Sequence, residues 1–234
     1  MRSAGRVMVG AALLGSLNAG CTPRAGPEVE PRMIGHYENV ARLYAEAAAG
    51  RLDGVRTEAN ELLARESGAG LPADVASHIE ELRIYAGLAA RAPDATSAAS
   101  AVSRVAAACG SCHKSMKRGP TYQVVTGPPA GENPVATRMI RHRWAADQLW
   151  DGLVGPSDES WRAGASVLRD APLFTDDLTH DVQHYEAVTK LAWTVHELGA
   201  RANSARDQSV RAALYGELLG TCASCHSLLG QSGK

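Results

Sequence analysis

Two stretches of this 234-residue chain repeat one order of sulfur and nitrogen: Cys109-Gly-Ser-Cys112-His113 and Cys222-Ala-Ser-Cys225-His226. Cys-x-x-Cys-His is the signature of covalent haem c attachment. Each cysteine sulfur adds to a vinyl group of the porphyrin, and the histidine after the second cysteine ligates the iron axially. Two intervening residues put both sulfurs on one turn of helix. Cys-x-x-Cys also occurs as a dithiol redox motif and as half of a zinc site. The dithiol needs a βαβ setting, of which the sequence has no sign. A zinc ion shared by the two motifs would not require a histidine after the second cysteine both times. The fifth cysteine, Cys21, lies near the N-terminus, so the two motifs use every cysteine of the remaining chain. The expectation is two covalent haem c groups, held by Cys109, Cys112, Cys222 and Cys225, with His113 and His226 as proximal iron ligands.

Similarity around the motifs extends upstream. The second motif begins 113 residues after the first, and MIGHYENVARLY (33–44) resembles MIRHRWAADQLW (139–150). Met33 pairs with Met139, His36 with His142 and Leu43 with Leu149. Further echoes are Leu71-x-x-Asp74-Val75 with Leu178-x-x-Asp181-Val182, and Ala90-Arg91-Ala92 with Ala200-Arg201-Ala202. Two copies of one unit are expected, 31–118 and 134–230, joined by a Gly/Pro-rich linker at 119–134. Apolar periodicity and caps predict four helices in each. In the first unit they cover about 31–49, 53–66, 72–91 and from about 95 through the motif. In the second they cover about 134–153, 158–169, 177–202 and 204–229, with Ser157 and Ser204 as caps. No stretch reads as a strand. Short connections favour antiparallel neighbours, so the expected fold is all-α: two tandem antiparallel four-helix bundles, each with its motif on the last helix.

Composition agrees with porphyrin as part of the core. Hydrophobic residues make up 45% of the chain, yet aromatics are only 5% with a single Phe, so side chains alone supply little bulk. Residues 28–118 carry 12 acids against 11 bases, and residues 132–234 carry 13 against 10, which excludes the basic surface that nucleic acid demands.

Residues 1–21 read as an export signal. Arg2 and Arg6 precede an apolar run from Val7 to Leu17, too short to span a bilayer, and Ala19-Gly20-Cys21 follows. Ala-Gly-Cys resembles a bacterial lipoprotein cleavage site, which makes Cys21 a candidate for lipidation; cleavage after Ala19 is the alternative. Residues 22–31 read as a tether. The expected location is the periplasmic side of a bacterial membrane, lipid-anchored or soluble, where haem c is attached.

A four-helix unit whose last helix bears Cys-x-x-Cys-His resembles the class II cytochromes c, cytochrome c-prime and cytochrome c556, over both units. In helix one, Met33, His36, Val40, Leu43 and Ala47 fall on one face, as do Met139, His142, Ala146, Leu149 and Leu153 in the second copy. A methionine on such a seam is usually core, and a lone histidine there is usually a hydrogen-bonded core residue. Repetition makes both candidates for the distal axial position. The cytochrome c556 resemblance implies Met33 and Met139 as distal ligands. Ligand strength favours His36 and His142. The cytochrome c-prime resemblance implies an open iron. His78 and His184, at corresponding places in helix three, are candidate propionate partners or surface; His180 and His196 have no repeat partner. The four tryptophans all fall in the second unit, where they could pack against its haem.

The functional expectation is a dihaem c-type cytochrome that passes electrons between redox partner proteins, not an enzyme. A gas-binding haem protein with an open iron is the alternative, and a dihaem peroxidase a more remote one. The family resemblance implies self-association into a dimer through helix faces, with the alternative that the tandem pair satisfies that surface within one chain.

Overall fold

The computed structural model describes residues 30–66, 73–117, 119–122, 127–128, 131, 134–171, 173–179 and 181–230; the side chains of 30–34, 134, 177 and 182 lie outside the description. Among these residues the structure is all-helical, with no strand. The helices are α1 (Glu30–Ala48), α2 (Leu52–Arg65), α3 (Ala73–Ala90), α4 (Ala95–Met116), α5 (Pro134–Val154), α6 (Asp158–Asp170), the single turn α7 (Thr175–Leu178), α8 (Val182–Ser204) and α9 (Gln208–Leu228).

Local chemistry sets their ends. Asp94 accepts a hydrogen bond from the Ser97 backbone to start α4, and Ser157 accepts from Ser160 to start α6. Lys117, at φ 50°, closes α4 in the left-handed region. Two expectations give way in the second half. Instead of one helix over 177–202, the chain breaks at Thr179. The Thr179 hydroxyl accepts from the Asp181 backbone, and the Asp181 carboxylate caps Gln183, so polar side chains satisfy backbone groups that a continuous helix would have used. Ser204 does not cap α9; it is the last residue of α8 and donates back to Arg201. Asp207 is the cap, accepting from the backbones of Ser209 and Val210.

Along the chain α1 packs on α2, α2 on α3, and α3 on α4, with α4 returning to α1. In the second half α5 packs on α6, α6 on α8, and α8 on α9, with α9 returning to α5. The most extensive helix–helix contact of all joins the halves, between α4 and α9. Small residues permit it. A Cβ on Gly216 would lie 3.0 Å from the Ser100 backbone, and one on Gly220 would lie 3.1 Å from Thr96. A Cβ on Gly110 would lie 2.6 Å from the amide of Gln208. Numbers rise along α9 as they fall along α4, so the two helices run antiparallel.

The core is accordingly continuous. Leu43, Leu62, Val102 and Val105 from the first half and Leu149, Leu153, Trp161 and Leu219 from the second belong to one buried apolar cluster. At its centre Tyr44 of α1 stacks on Trp150 of α5 at 4.5 Å, with Tyr215 of α9 against both. The Tyr44 hydroxyl donates to Asp147 at 2.6 Å, and the Tyr215 hydroxyl donates to the Ala146 carbonyl at 2.9 Å. Both phenols thus enter the core with their polar ends satisfied.

Candidate functional site

Both Cys-x-x-Cys-His motifs lie at the C-terminal ends of their helices, on α4 and α9. Because these helices are antiparallel, the motifs occupy opposite ends of the molecule. By this pairing Cys225 lies past the N-terminal end of α4, about twenty residues' rise from Cys112, or about 30 Å at 1.5 Å per residue. No single zinc ion can bridge that distance, and no cluster of three metal-ligating side chains occurs among the described residues.

Three of the four motif thiols sit where burial disfavours the thiolate. All four motif cysteines are free; Cys109 is buried, and the other three are half-buried. Burial pushes the Cys112 and Cys225 thiols up, and pushes that of Cys222 up to about 12. A dithiol oxidoreductase needs a thiolate made accessible by a lowered pKa, the reverse of this setting.

The histidines are held as neutral ligands would be. Burial is the largest influence on each and pulls both His113 and His226 below the ordinary histidine value, although each gains a backbone hydrogen bond that acts the other way. Nδ1 of His113 lies 2.7 Å from the carbonyl of Val154, at the end of α5. With its proton there, Nε2 carries the free lone pair that a metal requires. The His226 ring lies beside the backbone of Ala49, just past the end of α1, which favours its protonated form against burial. Each motif histidine is therefore anchored by the first helix of the opposite half. The neighbouring motif residue is small for the same reason. A Cβ on Gly110 would sit 2.0 Å from the Leu153 carbonyl, and Ala223 packs against Gly50, where a Cβ would meet its backbone at 3.0 Å. Gly119 lets the chain leaving α4 pass over His113, whose Cβ would lie 2.7 Å from an added one.

The expected distal residues differ between halves. On α1 the seam residues Val40, Leu43 and Ala47 are buried, and on α5 so are Ala146, Leu149 and Leu153. His36 sits above its own motif, with Nε2 4.0 Å from Cys109 Sγ and Nδ1 2.8 Å from the Glu66 carboxylate. Burial works against its protonation, but hydrogen bonds to Cys109 and Glu66 outweigh it and carry the group up to about 10. His142 instead lies with Nε2 3.0 Å from the Ala171 carbonyl at the end of α6. Met139 is 36% exposed, because continuous burial of α5 begins only at Ala145. Met33 falls in α1, but its side chain lies outside the described residues, as does Cys21.

Of the remaining candidates, His78 reaches Ser115, two residues past the first motif, at 2.8 Å. His184 pairs with Asp181 at the surface, and His196 lies against Trp193. His180 lies outside the described residues. The tryptophans serve several ends. Trp150 builds the junction between halves, Trp161 is buried with its indole donating to the Ala202 carbonyl, and Trp193 is 60% exposed. Two surface clefts, of about 400 and 270 Å³, are lined by no motif residue.

Sequence reasoning did not anticipate Glu66, Tyr122 or the carbonyls of Ala49 and Val154. Tyr122, in the linker, packs against Gly155 beside the first motif. The Gly50 and Gly155 positions, each one residue past those carbonyls, were the available signal for a close approach. Comparison with protein-family models, with curated proteins and with solved structures returned no match.

Proposed function

We propose that the chain is a dihaem c-type cytochrome, an electron carrier built from two tandem four-helix bundles of the class II kind. The pairing of α1 to α4, and of α5, α6, α8 and α9, supports that architecture. The observation that carries the function is the state of the motif histidines. Burial favours the neutral form of both, His113 meets the Val154 carbonyl at 2.7 Å, His226 lies beside the Ala49 backbone, and each follows two free cysteines. The residues fit haem c: Cys109 and Cys112 hold one group, Cys222 and Cys225 the other, with His113 and His226 on the irons. Haem iron supplies one-electron exchange between ferric and ferrous states. The chain supplies ligand identity, exclusion of water by an apolar helical cage, and a packed frame that reorganises little.

The carrier reading places redox partner proteins at the two ends of the molecule. The periplasmic side of a membrane is the proposed location, with Cys21 as lipid anchor; no described helix is long and apolar enough to cross a bilayer. A pyridine haemochrome assay on exported protein, with intact mass, tests the proposal. Two haems per chain are expected, and a colourless product at the polypeptide mass from a maturation-competent host refutes it.

One observation favours a second reading for half of the molecule. His36 presents Nε2 toward its motif, whereas His142 commits Nε2 to a carbonyl and Met139 faces solvent in part. The second haem would then lack an inward distal side chain and could take a small gas. Carbon monoxide binding to one haem of the reduced protein supports this; binding to neither leaves both irons six-coordinate.

A further inference from the structure

We propose that each repeat positions and tunes the other repeat's haem ligand, the C-terminus of α1 acting on His226 and the C-terminus of α5 acting on His113. The inference rests on the haem reading above and adds to it a dependence between the two halves.

A helix end leaves carbonyls without internal partners. At the end of α1, Gly50 donates to Ala47 and Arg51 to Glu46, closing the last turn on itself. The carbonyls of Ala48 and Ala49 remain, and with Gly50 packed on Ala223 the Ala49 backbone comes beside the His226 ring. At the end of α5, Gly155 donates to Asp151 and Ser157 to Gly152, while the Gln208 side chain takes Leu153. The Val154 carbonyl remains, and His113 takes it at 2.7 Å. At both ends a motif histidine of the opposite half lies against carbonyls that the helix leaves unpaired.

The electrostatics have a definite sign. Carbonyls at a helix C-terminus form the negative end of its dipole. A ring N–H donated to them fixes the tautomer and makes Nε2 a stronger electron donor. A stronger donor favours ferric over ferrous iron and lowers the potential. Loss of the contact therefore makes that haem easier to reduce. Close approach depends on Gly50, whose φ is +71° and whose added Cβ would meet Ala223 Cα at 3.0 Å. For the other end it depends on Gly155, where a Cβ would meet the Tyr122 ring at 2.7 Å and the Pro120 carbonyl at 3.0 Å.

Full-length holoprotein carrying Gly50→Val is the test, read by spectroscopic redox titration. A Cys109→Ala/Cys112→Ala variant, which keeps only the second haem, assigns the two couples. The second haem is expected to lose about tenfold in its ferric-to-ferrous ratio at fixed potential, 59 mV for one electron, while the first is unmoved. Gly155→Val should do the reverse, moving the first haem alone. A shift confined to the haem of the mutated repeat, an equal shift in both, or no shift in either would overturn the proposal. If Gly50→Val does not fold by circular dichroism, Gly50→Ala, with the same strained φ and a smaller side chain, carries the same expectations. Haem content is measured first: two haems without cross-dependence reject this inference alone, and no haem rejects the functional reading beneath it.

Discussion

Asp151, on α5, carries a pH dependence whose sign can be worked out. Burial, and then repulsion from Asp147, push its carboxyl up from 3.8 to about 7. Between those values the folded chain holds a proton that the unfolded chain has released, so stability falls as pH rises from about 4 to about 7 and then levels off. Asp151→Asn should raise the melting temperature at pH 8 and leave it unchanged below pH 4. A gain confined to acid pH would contradict the assignment. His36 yields a second prediction at this scale, resting on the haem proposal. With Nδ1 held by Glu66 and Nε2 aimed at the motif, His36→Ala should alter the electron paramagnetic resonance signal of the first haem. His142→Ala, whose Nε2 is already engaged by Ala171, should leave the second haem's signal as it was. Equal changes in both would mean the two distal sides are alike.

At the scale of elements, the α4–α9 crossing decides the architecture. Gly216 and Gly220 stand one turn apart on α9, where they admit Ser100, Ser103 and Thr96 of α4. Their spacing is readable in the sequence as a small-residue stripe, but nothing local says which helix lies against it. Gly216→Leu would force side-chain atoms into the Ser100 backbone and should cost about 1–3 kcal/mol, as overpacking does. Because the apolar cluster runs through both halves, the loss should appear as one earlier transition in denaturant, read alike by circular dichroism and by tryptophan fluorescence. Two separated transitions, only one of them shifted, would show that the halves fold independently. Removing the α9 cap with Asp207→Ala should cost about 1 kcal/mol in the same experiment.

For the whole molecule, the antiparallel crossing puts the two motifs at opposite ends rather than on one face. If the chain carries the proposed haems, motifs separated by about 30 Å along the helices should leave the irons magnetically independent. The spectrum of the oxidised dihaem protein is expected to equal the sum of two single-haem variants, Cys109→Ala/Cys112→Ala and Cys222→Ala/Cys225→Ala. Broadening or splitting absent from that sum would place the irons closer than the fold allows. On the same proposal, independence of spins is compatible with the crossed helix-end contacts, which would act through ligand basicity within each end.

The chain's own residues determine a good deal. The all-α class, the Cys-x-x-Cys-His pairs at helix ends, and most helix boundaries follow from periodicity, caps and spacing, all of which act within a few residues. Helix eight was less legible, because the Thr179–Asp181 turn competes with helix through side-chain hydrogen bonds that composition does not reveal. Tertiary structure alone decided the rest: that α4 meets α9 head to tail, that Val154 becomes an acceptor for His113 and Ala49 comes beside His226, and that His36 and His142 diverge despite matched positions. A periodic pattern says which face of a helix is buried, whereas the partner that covers it is chosen by shape and by orphaned polar groups brought together only when the halves close.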